Sequence, residues 1–253
     1  MTSDAMVWDL FGVEANTDVP DSDGVVWTVA RSRGWLSPTV ISSRAVASGR
    51  PGSVLTAERH GERVLEVSGM GRAPTQAQAE AGWNRLAVMP GIGASGLVKR
   101  YEQVPKSLRV RMDDEPLADP PKGGVFFYTL ALVALDPYKL ALTPTTVSVA
   151  AGATVTLTND GTASTYLTVT ATGAGTVRLR QDDSLQTLRS KTSVASGTVF
   201  DSGARQVRSA GGVVLSGVMD NPSEWLSIPR LASTDVTNQG TAPVDVTFYD
   251  TYA

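Results

Sequence analysis

The stretch Thr145-Thr146-Val147-Ser148-Val149-Ala150-Ala151-Gly152-Ala153-Thr154-Val155-Thr156-Leu157-Thr158-Asn159-Asp160-Gly161 decides the class of the chain. β-Branched residues alternate with small or polar ones at a period of two, which sends every second side chain to one face of a strand. Ala151-Gly152 interrupts the first run and Asn159-Asp160-Gly161 ends the second. Such residues mark tight turns because they tolerate left-handed backbone or bond their own main chain. The pattern continues at Tyr166 to Thr170, Thr176 to Arg180, Val213 to Val218 and Val244 to Tyr249. Short strands with close turns predict an all-β domain over residues 141–253, an antiparallel sandwich or jelly roll without a helix of any length.

Moving towards the N-terminus, the pattern becomes mixed. Val25 to Ala30, Thr39 to Ala47, Val64 to Val67 and Val125 to Leu135 are strand-like, rich in β-branched and aromatic residues. Between them, Pro74 to Met89 opens on proline, is filled with alanine, and sets Ala79, Trp83 and Leu86 at helical spacing. It predicts one amphipathic helix, stopped by Pro90-Gly91, with Trp83 and Leu86 turned to the core. Residues 1–140 therefore form a first, mainly β domain with a single helix. The change of pattern between Leu135 and Thr145, with Pro137 and Pro144 at its ends, marks the domain boundary. A last strand over Val244 to Tyr249 could alternatively return to the first domain.

The bulk properties exclude several classes. The chain has 253 residues, 42% hydrophobic and 19% charged, with a formal net charge of −3. That balance argues against nucleic acid or an anionic membrane as the main partner. There is no cysteine, which removes disulfides and thiolate metal sites. Met1 to Leu10 lacks the basic start and apolar run of a signal peptide, and no stretch approaches the roughly 18 apolar residues of a membrane span. Charge is uneven along the chain. Asp4, Asp9, Glu14, Asp18, Asp21 and Asp23 stand in residues 1–30 without any Lys or Arg, whereas residues 31–111 are strongly basic. The two stretches can complement each other within a subunit or between subunits.

Candidate chemistry is sparse. Gly91-Ile92-Gly93-Ala94-Ser95-Gly96 spells a dinucleotide fingerprint, but a helix and a proline precede it and Leu97 to Tyr101 reads as a strand. The fingerprint requires the reverse order, strand then helix, so a glycine loop is the better reading. His60, the single histidine, lies among Glu58, Arg59, Gly61 and Glu62 in what reads as a hairpin turn. Asp113-Asp114-Glu115 and Asp182-Asp183 are the carboxylate clusters a glycosidase would draw on, and their neighbours make them exposed loop acids. Asp220-Asn221-Pro222 is turn chemistry. Trp225 could stack on a sugar, but covering the edge of its own core is the commoner role; Trp8, Trp27, Trp35 and Trp83 read as core or subunit-interface residues. These readings assign no catalytic, cofactor-binding or metal-binding residue, and no cofactor.

The order of features resembles the distal tail proteins of long non-contractile-tailed phages over nearly the whole chain. Arg63-Val64-Leu65-Glu66-Val67-Ser68-Gly69 stands ahead of the helix with Trp83, Leu86 and Met89. Ser107-Leu108-Arg109-Val110-Arg111 follows, then the strand Val125 to Leu132. Leu135-Asp136-Pro137-Tyr138 is similar to the Asp-Pro-aromatic ending found at that family's domain junction. The resemblance implies a belt-type β-barrel or sandwich-like domain (1–140) that closes a hexameric ring, and a galectin-like jelly-roll domain (141–253). It implies a non-enzymatic structural protein of the virion tail tip, assembled in the host cytoplasm, that joins the tail-tube protein to the tail hub and leaves a channel for DNA ejection. The lone His60 lies outside the galectin-like half, which therefore lacks a typical histidine-containing sugar site. Two other classes remain open on the residues alone: a carbohydrate-binding adhesion module using Trp225, and a polysaccharide-cleaving tail enzyme using two of the carboxylates above.

Overall fold

The computed structural model describes residues 6–46, 53–89, 94–220 and 223–253, with the backbone alone at 43–46 and 53–58. The chain is mostly β with one helix and divides into two compact units: residues 1–139 with Ala253, and residues 140–252.

In the first unit the elements are β1 (Val7–Leu10), β2 (Val13–Ala15), β3 (Val26–Arg33), β4 (Val40–Val46), β5 (Ser53–His60), β6 (Arg63–Arg72), α1 (Gln76–Leu86), β7 (Gly96–Tyr101), β8 (Lys106–Met112), β9 (Leu117–Ala118) and β10 (Val125–Ala134). Seven strands pair in the order β8-β7-β1-β2-β3-β6-β10, and β10 returns onto β8 through Leu132 opposite Met112, closing a barrel. Closure leaves the sheet without open edges, which guards it against stray pairing. Strand β9 adds to the outside of β10, and β4 with β5 forms a separate two-stranded ribbon.

Alternation fills the barrel. Leu65 and Val67 of β6 point inward, as do Phe126, Tyr128, Leu130 and Leu132 of β10, all buried. Gly69 and Gly71 stand directly opposite Tyr128 and Phe126. A Cβ at Gly71 would overlap the Phe126 ring, and one at Gly69 would strike the Thr28 carbonyl and the Tyr128 phenol. The two glycines thus leave room for the Phe126 and Tyr128 rings, which meet Trp27 edge-on at 5.3 and 5.5 Å. Edge-on contacts of this kind are worth about 0.5–1.5 kcal/mol beyond area burial.

The helix begins where the sequence places it. Thr75 is the N-cap, its hydroxyl accepting from Gln78 N at 3.3 Å, a Thr-x-x-Gln capping arrangement. Ala79, Gly82 and Leu86 are its buried face, while Trp83 flanks them half-buried, its indole donating to Ala118 O at 3.4 Å. The face is therefore rotated from the expected Trp83–Leu86 centre. Gly82 makes the difference: a Cβ there would lie 2.7 Å from Val25 Cγ2. The expected Pro90-Gly91 stop lies outside the described residues.

After β11 (Lys139–Ala141), the second unit holds β12 (Thr145–Val149), β13 (Thr154–Asn159), β14 (Thr165–Tyr166), β15 (Thr168–Ala171), β16 (Arg178–Gln181), β17 (Thr187–Arg189), β18 (Val199–Asp201), β19 (Gln206–Arg208), β20 (Ser227–Ile228), β21 (Ala232–Asn238), β22 (Val244–Phe248) and β23 (Thr251–Tyr252). Sheets β12-β22-β15-β18-β19 and β13-β21-β16-β17 share one apolar core, built from Leu157, Val169, Leu179, Phe200, Val236 and Val246 among others. This is an antiparallel sandwich. The Val244–Phe248 strand pairs with β12 and β15 and so stays in this unit, not the first.

One expected strand is absent. Val213 to Val218 forms no strand; it is held by the bridge Arg208–Val214 and by backbone bonds from Leu215 N to Val207 O and from Lys191 N to Val218 O, both 2.7 Å. Gly211-Gly212 turns the chain back so that Ser209 N bonds Val213 O at 2.8 Å, and Val213 and Val214 are left exposed. Leu215 and Val218 still pack against the sandwich core, so the segment covers that core without extending a ladder.

Two turns of the sandwich share four of five residues, in the pattern Asn-x-Gly-Thr-Ala. Asn159-Asp160-Gly161-Thr162-Ala163 follows β13 and Asn238-Gln239-Gly240-Thr241-Ala242 follows β21. Each buried Asn donates to the carbonyl four residues on, at 2.9 Å in both copies, and accepts from the glycine N–H two residues on, at 2.9 and 3.0 Å. The copies then pair antiparallel, β13 with β21 and β15 with β22.

Candidate assembly surfaces of the barrel unit

The acidic start of the chain pairs with the basic stretch inside one subunit. Asp9 on β1 faces Lys99 on β7 in register, with Oδ2 to Nζ at 2.7 Å. That hydrogen bond raises the Lys99 pKa against a smaller opposing effect of burial. Asp9 Oδ1 also accepts from Gly12 N, fixing the Phe11-Gly12 turn, whose φ values of 57° and 88° suit a hairpin of the primed type. Asp21 accepts from Asp23 N, Val25 N, the Trp27 indole and Arg85, and Asp23 takes the other arm of Arg85 at 2.8 Å. Glu14 and Asp18 remain exposed, and Asp4 lies outside the described residues.

Two cations are buried without a salt bridge among the described residues, although the charge of Glu102 is felt at Lys139. Arg63, 1% exposed, donates to Pro137 O, Gly34 O and Trp35 O. Lys139, 5% exposed, donates to Trp35 O at 2.9 Å and Leu36 O at 3.2 Å. Burial lowers the pKa of both; with the added repulsion of Arg63, that of Lys139 falls to about 8. Together they strap residues 34–36 to the barrel. Trp35 stacks edge-on to Trp8 at 5.2 Å, and the Arg100 guanidinium lies over both rings at 5.8 and 5.2 Å. Residues 32–37 and Arg100 line an open cleft of about 380 Å3.

The barrel exterior carries an apolar patch. Phe127 of β10 stands opposite Met70 of β6, while Leu117 of β9 pairs with Thr129, two residues from Phe127; Phe127 and Leu117 are 61% and 72% exposed. Large exposed side chains set together mark contact surfaces more often than scattered ones do.

The other expected residues stand apart from one another. His60 ends β5 just before the Gly61-Glu62 turn, exposed, its ring 5.5 Å from that of Tyr138. Asp113-Asp114-Glu115 is an exposed loop after β8, and Asp182-Asp183 an exposed turn after β16 where Asp182 meets Arg180 at 3.7 Å. Gly91 to Gly93, Asn221 and Pro222 lie outside the described residues; Leu97 to Tyr101 is the expected strand, within β7. Trp8, Trp27 and Trp35 are core, and Trp225 packs half-buried against the sandwich core. Among the described residues no three His, Asp or Glu are grouped to hold a metal ion, and no helix is long and apolar enough to cross a membrane. The buried pair Arg63–Lys139 and the Asn-x-Gly-Thr-Ala repeat were not foreseen. The repeat was visible in the sequence as two matching pentapeptides, whereas nothing local distinguishes a buried cation from an exposed one.

No family model matches the chain, and no curated protein matches it significantly. Solved structures do. The crystal structure of the SPP1 Dit (gp 19.1) protein, described as a paradigm of the hub adsorption apparatus in Gram-positive-infecting phages, is 18% identical with a TM-score of 0.76, covering 98% of this chain and 99% of that one. Chains of the phage P2 baseplate in its activated conformation, with calcium and with strontium, match at TM-scores of 0.50 and 0.51 and identities of 10% and 9%, covering 88% of this chain and 90% of theirs. Over nearly its full length, the chain has the fold of a phage distal tail protein of the SPP1 Dit kind.

Proposed function

We propose that this chain is a non-enzymatic structural protein of a phage tail tip, in which six copies close a ring through the barrel unit and join the tail tube to the hub. The sandwich unit takes the place of the galectin-like domain, and DNA passes through the ring on ejection. One observation carries the proposal: both units, in order, follow a hub protein of a phage adsorption apparatus across 98% of the chain. The site chemistry agrees. The clustered carboxylates are exposed loop acids far apart in sequence, and His60 has an aromatic ring as its neighbour, without the paired acid and base that hydrolysis needs. A mildly acidic chain also suits a passage through which DNA slides, since each phosphate contact by Lys or Arg adds affinity.

Mixing the purified chain with the tail-tube protein of the same phage and imaging by negative stain tests the role. Rings capping one end of tubes are expected. Tubes with bare ends at saturating chain concentration would overturn it.

A further inference from the structure

The barrel unit carries a basic cleft, in which Arg100 meets Glu102 at 3.9 Å, and an acidic loop without an ion pair among the described residues. In the cleft, Arg33 is exposed and makes no ion pair among the described residues. Arg100 lies stacked on two tryptophans, and Arg63 and Lys139 add charge from behind the strap. The Trp35 indole N–H and Arg63 Nη2 are buried without a hydrogen-bond partner. Buried cations answered only by carbonyls stay costly until an opposite charge approaches. Counting Arg33, Arg63, Arg100 and Lys139 against Glu102, the cleft and the strap behind it remain net positive. The loop Asp113-Asp114-Glu115 presents three exposed carboxylates, again without an ion pair among the described residues.

Their placement follows from the ladder. Arg33 of β3 pairs with Glu66 of β6, Glu66 with Ala131 of β10, and Asp113 N bonds Ala131 O. Arg33 and the loop are therefore three strand steps apart in a closed ring of seven, while Arg100 of β7 lies one step from β8, opposite Lys106 at the end of β8 away from the loop. A closed ring needs two unlike surfaces on different faces of each subunit, so that head meets tail.

We propose that the Asp113–Glu115 loop of one copy docks in the cleft formed by residues 32–37 and Arg100 of the next, and that this contact sets the register of the ring. The contact rests on the ring reading above. A side-chain carboxylate suits the cleft better than a phosphate of duplex DNA. The cleft is walled by tryptophan and by Leu36 and is sized for single side chains, whereas a duplex needs a row of cations on an open face.

Charge reversal decides between the possibilities. Native mass spectrometry is run over a concentration series on the wild type, on Arg33→Glu, on Asp113→Lys/Asp114→Lys, and on the combined variant, with melting curves to confirm folding. Each single-sided variant should raise the concentration needed for rings at least tenfold, and the combined variant should recover most of that loss. A merely misfolded variant would not be rescued. Wild-type rings with both single-sided variants assembling equally well overturn this contact and leave the ring reading intact. Single-sided losses without recovery overturn the pairing of these two surfaces. A wild type that stays monomeric at every concentration and salt, alone and with tail-tube protein present, overturns both.

Discussion

Lys139 shows how much a single buried charge can govern. Its folded pKa of about 8 lies below the ordinary 10.5, so folding disfavours the charged form. Below pH 8 both folded and unfolded chains hold the proton, and the burial cost is fully present. Between pH 8 and 10.5 the folded chain releases the proton while the unfolded chain keeps it, so the contribution of Lys139 to stability rises with pH, by about 3 kcal/mol in all. Urea unfolding of the wild type and of Lys139→Met at pH 7 and pH 10 checks this. The stability difference should move towards the wild type at the higher pH, and an unchanged difference would refute the assignment. None of this was legible in the sequence, where Lys139 stands among Asp136, Pro137 and Tyr138 like any surface lysine. Its burial comes from long-range contact with Trp35 and Leu36, about a hundred residues away. The acids at 9, 21 and 23 were legible as a charge block, and the structure resolves the choice for these three: they are paired within the subunit.

At the scale of the element, periodicity carried most of the information. The helix from Gln76 and the strands at Thr145–Val149, Thr154–Asn159 and Val244–Phe248 fall where alternation and turn residues put them. The misses share a cause: a local pattern does not say what lies opposite. Val213 and Val214 alternate like a strand but stay exposed, meeting the sheet at the Arg208–Val214 bridge without extending it. Gly82 counts as a flaw in a helix, yet it is the point of closest approach to Val25 and Phe126. A Gly→Ala change inside a helix ordinarily stabilises by about 1 kcal/mol. Gly82→Ala should do the reverse and lower the melting temperature of the barrel unit; a rise would show that the helix has room to move. Leu86→Ala should cost about 2–5 kcal/mol, and Trp83→Ala less than a fully buried tryptophan would, because Trp83 only flanks the buried face. In the sandwich, Asn159→Ala and Asn238→Ala each remove three or more bonds to buried backbone groups. Each should cost about 2–4 kcal/mol by chemical denaturation. A surface-like loss under 0.5 kcal/mol at either position would contradict the structural role of the repeated turn.

At the scale of the whole molecule, the pattern predicted a mixed strand-plus-helix half followed by an all-β half, the barrel came from the family resemblance and not from periodicity, and the structural likeness to the SPP1 protein bears out that resemblance. Assembly was not legible in the same way, because a ring contact is written in surfaces and not in periodicity. With Asp9, Asp21 and Asp23 already paired, the apolar patch of Phe127 and Leu117 and the Arg33 cleft are among the exposed features that the proposed ring could use. Apolar burial would then supply most of the affinity and exposed charge pairs, at most about 1 kcal/mol each, the register. The mass of the purified chain under native conditions, followed from nanomolar to high micromolar concentration, tests the ring reading most directly. A species of six 26.6-kDa chains that grows with concentration is the predicted result. A strict monomer at every concentration and salt, alone and with tail-tube protein present, would contradict it.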